Sequence, residues 1–161
     1  MTRRIGTLVA LAADGTVDWA VGDVTRPVLP RSCNKPIQAL AMLRLGLDLP
    51  PDLLALASAS HSGEPFHAEG VRRILAGAGL DETALRTPPD LPLDDREKEA
   101  LLRAGGAEAP IWMNCSGKHA AMLATCVVNG WDIGTYLDPD HPLQQAIQRT
   151  FVELTGEPCE V

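Results

Sequence analysis

The sequence predicts a mixed α/β (α+β) fold, an antiparallel sheet flanked by helices, with the sheet incomplete in this chain. An alternating apolar segment is broken at Asp14-Gly15, a strong hairpin signal. Most segments after it carry apolar residues at three- and four-residue spacing, the helical period. A chain of 161 residues, 45% hydrophobic and 22% charged, can bury one sizeable core, so residues 1–161 are expected to form a single domain.

The elements follow in order. Ile5 to Ala12 is a mostly apolar run and Thr16 to Gly22 alternates through Val17, Trp19 and Val21, giving the two arms of the hairpin. Thr25 to Pro30 is extended, because Pro27 and Pro30 oppose helix. A helix comes next, with Ile37, Leu40, Leu43 and Leu47 on its buried face and Gly46 near its end. Asp52 to Ala59 predicts a second helix, and Pro65 to Ala78 a third with Phe66, Val71, Ile74 and Leu75 inward. The prolines of Thr87 to Pro92 make a loop, and Asp94 to Ala104 a short helix with an acidic first turn, ended by Gly105-Gly106. Ala109 to Met113 is a candidate strand. Ser116 to Asn129 reads as a buried helix closed by Gly130, and Asp140 to Thr155 as an amphipathic one with Leu143, Ile147, Phe151 and Leu154 inward.

Two or three strands are too few for a stable sheet. The closing residues, Glu157-Pro158-Cys159-Glu160-Val161, read as a turn into a further element. The missing strands are therefore expected elsewhere: in an absent portion, a companion chain or a dimer.

A formal net charge of -7 and the lack of any long block of like charge argue against a nucleic-acid or membrane-surface partner and favour a small neutral or zwitterionic ligand. The N-terminus has no signal-peptide pattern, and no run reaches the ~20 apolar residues of a membrane span. The cysteines, Cys33, Cys115, Cys126 and Cys159, are scattered in a chain that needs no disulfide framework, so a cytoplasmic compartment with reduced thiols is expected.

Three segments carry chemistry. In Arg31-Ser32-Cys33-Asn34-Lys35-Pro36, Ser32 and Lys35 share one face if the helix begins there, so a neutral Lys35 could take the serine proton. Burial or a neighbouring cation must first depress the lysine. Arg31 is a candidate for that cation, or for holding a substrate carboxylate. The plainer alternative makes Ser32 a helix cap and Lys35 a solvated residue. In Ser58-Ala59-Ser60-His61-Ser62-Gly63-Glu64, small hydroxyl residues after a helix can expose Ser60 and backbone N–H groups to a pocket; alternatively Ser62 caps the next helix. His61, Glu64 and His67 have a spacing reminiscent of metal sites, but Pro65 lies among them, and one histidine lining the site is the better use. In Asn114-Cys115-Ser116-Gly117-Lys118-His119, again at a helix start, Cys115 suits a thiolate ligand or nucleophile, or else a buried apolar cysteine; the latter fits Cys126. Lys118 could share a metal with Cys115 only as a neutral amine.

The order and wording of these segments, followed by Asp-Pro-Asp-His-Pro-Leu-Gln at 138–144, resemble the bacterial L-asparaginase family of the rhizobial inducible type along nearly the whole chain. Asn-Cys-Ser-Gly-Lys-His is the most specific element. The resemblance implies a serine β-lactamase/glutaminase-like fold and hydrolysis of L-asparagine to L-aspartate and ammonia. It assigns Ser32 and Lys35 to one serine-lysine tandem, Ser60 to a second, Arg31 to support of the site, and Cys115 and Lys118 to a zinc ion. The family's second lysine and its third zinc ligand, a cysteine, fall outside this sequence, and Cys159 does not match that context. The chain is thus expected to be the N-terminal portion of the family's domain, acting as a homodimer or with a complementing C-terminal half. Two other functions fit the same residues: a noncatalytic half that binds a complementary chain, and a penicillin-recognising serine acyl-enzyme.

Overall fold

The computed structural model describes residues 6–158. Ile5 at the start of the first apolar run, and Cys159 to Val161 of the closing turn, lie outside the described residues. Among the described residues the fold is mixed α/β, with a two-stranded antiparallel sheet and six α-helices. The contacts divide the chain into two compact units, Met1–Arg31 and Ser32–Val161.

The N-terminal unit is the hairpin. Strand β1 (Leu8–Leu11) pairs with β2 (Val17–Val21), Leu8 opposite Val21 and Ala10 opposite Trp19, with an irregularity between Ala10 and Leu11. The Asp14 carboxylate fixes the turn by accepting from the Thr16 N–H at 3.0 Å and the Thr16 hydroxyl at 2.7 Å. Alternation normally buries one face of a strand. Here Leu8, Leu11, Val17, Trp19 and Val21 are all about half exposed.

The second unit is helical: α1 (Lys35–Arg44), α2 (Pro51–Ala57), α3 (Pro65–Gly77), α4 (Asp95–Arg103), α5 (Ser116–Asn129) and α6 (Pro142–Thr155). Its centre is α5, buried from Ser116 to Cys126 except at Lys118 and packed against α1, α2, α3 and α6. A helix buried over most of its length belongs in a core, and α5 is one. It crosses α2 so closely that a Cβ at Gly117 would stand 2.9 Å from the Leu56 carbonyl oxygen. Met42, Ala57, Val71, Ile74, Leu75, Leu123 and Leu143, all at 0–1% exposure, fill the space around it. Replacing one of the leucines by alanine would cost ~2–5 kcal/mol, the range for a core cavity. The Asp94 carboxylate caps α4 by accepting from Arg96 and Glu97 N–H, and Nδ1 of His141 accepts from Leu143 N–H at the start of α6.

Several expected details give way to tertiary packing. The buried face of α1 is Lys35, Ala39, Ala41 and Met42, while Leu43 is exposed and Ile37 and Leu40 are half-buried, because α1 lies against both α5 and α6. Phe66 is 68% exposed and rests on His67 rather than in the core; the inward stripe of α3 starts at Ala68. Leu154 is exposed and Phe151 half-buried near the end of α6. Ala109 to Met113 is not a strand. Ala109 makes one antiparallel bridge with Asp90, and Pro110, which has no N–H for a ladder, turns the chain into a 3-10 turn over Pro110–Trp112.

Candidate functional site

The Ser32 segment opens the helical unit. Arg31–Asn34 forms a 3-10 turn and α1 begins only at Lys35, so the two residues stand at a helix junction rather than within one helix. Arg31 has φ +48°, a left-handed conformation that strains a side-chain-bearing residue, and is exposed. Ser32 is also exposed and its hydroxyl makes no hydrogen bond among the described residues, so it is not capping α1.

Lys35 turns the other way. Its side chain is 3% exposed, and Nζ donates to the Ala59 carbonyl at 2.9 Å and to the Ser60 hydroxyl at 2.8 Å. The lysine that sequence spacing pairs with Ser32 is hydrogen-bonded to Ser60. Burial pushes the amine below the ordinary lysine range; Cys115 opposes that shift and Lys118 adds to it.

The Ser60 loop is held from a second side. His61 is 4% exposed; its backbone N–H donates to the Asn114 carbonyl at 2.9 Å, and its Nε2 lies 2.8 Å from the hydroxyl of the fully buried Ser116. Burial, reinforced by His67 and Lys35, holds the imidazole down at about 4, so it is neutral in ordinary buffers. The His67 ring stacks on it at 5.2 Å and lies 3.0 Å from a Glu64 oxygen. Ser62 does not cap α3: its hydroxyl is bonded to the Glu64 carboxylate, and its carbonyl accepts from Asp94 N–H at 2.9 Å. Gly63 has φ +88°, and a Cβ there would stand 2.8 Å from Pro92, so glycine is required on both counts.

Ser60, His61, Phe66 and His67 line a cleft of about 340 Å³ between α2 and α3, rimmed by the Arg73–Asp52 ion pair. A larger hollow of about 500 Å³, lined by Trp131, Asp132, Asp138 and His141, contains none of the sequence-predicted site residues. Ser60 lines the smaller one, and Lys35 reaches that serine through its hydrogen bond.

Cys115 sits at the N-cap of α5, is buried, and points its sulfur at Met113 Sδ at 2.9 Å; Lys118, half-buried, follows one turn later. A thiol and an amine on one turn suit zinc in donor chemistry but supply only two of the usual four positions. Among the described residues, no three His, Cys, Asp or Glu side chains are arranged to hold a metal. Cys126 is buried within α5, and burial raises its thiol to about 11, as suits an inert core cysteine.

The His61–Ser116 link was not legible in the sequence, although both residues lie inside segments singled out there. No helix among the described residues is long and apolar enough to cross a membrane. No curated protein matches the chain. The family model for L-asparaginase II matches residues 2–161, almost every residue, including all three segments just described. On that match, the chain belongs to the L-asparaginase II family.

Proposed function

We propose that the chain carries a serine-lysine acyl-transfer site for hydrolysis of L-asparagine to L-aspartate and ammonia, on a serine β-lactamase-like framework. The supporting observation is the buried Lys35 amine 2.8 Å from the Ser60 hydroxyl. An uncharged Lys35 that keeps one N–H on the Ala59 carbonyl can turn its lone pair to the Ser60 proton. Ser32 attacks the side-chain amide carbon, and its proton passes through Ser60 to Lys35. The resulting ammonium returns a proton to the departing nitrogen, ammonia leaves, and an acyl-serine ester remains. Water, deprotonated by the regenerated amine, hydrolyses the ester to aspartate. Backbone N–H groups at the start of α1 and in the Ser60 loop would hold the developing oxyanion. Arg31, next to Ser32 in sequence, is the candidate for the substrate carboxylate.

The Lys35–Ser60 bond also favours a shorter route in which Ser60 itself attacks. Intact mass after exposure to an electrophilic asparagine analogue, followed by peptide mapping, separates the two: the adduct falls on Ser32 in the relay route and on Ser60 in the direct one. An adduct on neither serine refutes both.

Cys115 and Lys118 would hold zinc as thiolate and neutral amine, with the remaining positions filled from outside the described residues. Bound there, the ion would order the pocket and stabilise negative charge on a substrate. Cys115→Ser should weaken zinc retention measured by equilibrium dialysis, whatever its effect on turnover.

A sheet of two strands among the described residues favours a second reading, a chain that needs a second copy or a complementary half to finish its sheet. On that reading the isolated chain binds apolar dyes and turns over no asparagine until its partner is supplied. Activity in a strictly monomeric preparation would exclude it.

A further inference from the structure

We propose that His61 is a positioning residue: it clamps the Ala59–Ser60 segment to the start of α5, keeping the Ser60 hydroxyl on Lys35. The inference rests on the serine-lysine reading above and adds a residue to it.

The direction of each hydrogen bond is fixed by its partner. Ser116 Oγ lies 2.8 Å from the Ile111 carbonyl, which can only accept, so the Ser116 proton is directed there. Toward His61 the same oxygen must accept, and His61 Nε2 must carry the proton. The tautomer follows without further assumption. Nδ1 is left as a bare acceptor, shut from solvent and without a partner among the described residues. The opposite tautomer would set two lone pairs against each other at Ser116 and leave a buried Nδ1 proton unsatisfied. The imidazole is thus locked in one state by a residue at the first position of α5, next to Cys115.

The backbone closes the clamp. His61 N–H donates to Asn114, two residues before Ser116, while the two residues before His61, Ala59 and Ser60, both accept from Lys35. The segment 59–61 is therefore strung between α1 and the α5 start. Lys35, His67 and Glu64 are the charged or titratable groups that face the ring. Neither His67 nor Glu64 contributes a hydrogen bond to it, so Ser116 alone fixes the side chain.

Glutamine can place an amide N–H near the level of Nε2, whereas leucine fills similar space and donates nothing. The test labels the full chain with an amine-reactive acylating reagent and follows Lys35 by peptide mass, with the half-buried Lys98 as internal reference. In His61→Leu the normalised labelling of Lys35 should rise about tenfold, as expected when one buried hydrogen bond that closes a segment is lost. His61→Gln should return it to within about twofold of the parent, the residual expected when a donor is kept in changed geometry. Ser116→Ala removes the acceptor instead of the donor and should reproduce the leucine result in a folded chain even if His61→Leu does not fold. Unchanged labelling in Ser116→Ala, or a glutamine variant no better than leucine, overturns the proposal. In a preparation that turns over asparagine, Ser116→Ala should lower kcat and leave KM nearly unchanged, because Ser60 is displaced while the residues lining the cleft are kept. A wild-type chain that labels as predicted but hydrolyses nothing would sink the asparaginase reading and leave the clamp standing.

Discussion

Ser32 and Ser60 have similar surroundings in the sequence, a hydroxyl near a helix end with a lysine or histidine close by, yet the folded chain treats them differently. Ser60 accepts from a buried lysine and is followed by a histidine bonded to Asn114 through its backbone and to Ser116 of α5 through its ring. Ser32, exposed like Ser60, follows a left-handed Arg31 and makes no side-chain hydrogen bond among the described residues. Sequence proximity alone does not reveal the hydrogen bond that Lys35 makes to Ser60. A residue three positions away shares a turn, but which hydroxyl a lysine meets is decided by the direction in which α1 buries it.

The largest expected effect follows from Lys35. Lys35→Met should lower ammonia release by about 10²–10⁴, the range for removing a general base, while thermal stability stays level or rises because a buried amine is replaced by an apolar chain. Loss of stability with full turnover would mean that Lys35 is a structural tether only. Next in size is the serine contrast. Ser60→Ala should cost at least about a hundredfold in turnover through loss of the proton path. In the relay route Ser32→Ala abolishes acyl-enzyme formation outright. Equal and small effects of both would erase the distinction between the two hydroxyls.

Gly63→Ala probes the support of the Ser60 loop without touching its chemistry. It combines a strained positive φ with a clash against Pro92 and should destabilise by ~1–3 kcal/mol, read from a urea transition. A neutral outcome would show that the loop can relax without the 62–94 contact.

Acid sharpens the comparison further, because the residue after Ser60 is a buried histidine. Folded His61 resists protonation down to about 4, whereas the unfolded chain takes up that proton near 6.5. Between those values the unfolded state binds more protons, so stability falls as pH is lowered through the window and recovers as it is raised. Tm measured from pH 7 to 4 should decline less steeply in His61→Gln than in the parent. The smallest effect is expected at Asp94, whose carboxylate caps α4 and whose N–H holds Ser62; Asp94→Ala should cost ~1 kcal/mol.

Much of the framework was legible in the sequence for a plain reason. The helix Ser116–Asn129 with Gly130 after it, the hairpin around Asp14-Gly15 and the Asp94-capped α4 are set by local periodicity and local turn chemistry, and they fold where expected. What failed depends on neighbours distant in sequence. The buried face of α1 is chosen by α5 and α6, Phe66 is left on a cleft rim, and Pro110 breaks a segment whose composition alone suits a strand. The site divides in the same way. Its three segments could be picked out as words in the chain, whereas the Lys35–Ser60 bond spans 25 residues and the His61–Ser116 bond spans 55, beyond any spacing rule.

The most direct test of the central claim is covalent capture by an electrophilic asparagine analogue, compared between the parent chain, Lys35→Met and Ser60→Ala by intact mass. Pairing of Lys35 with Ser60 predicts an adduct on the parent and none on either variant. Undiminished capture in Lys35→Met would contradict the account, because the serine would then be reacting without the base assigned to it.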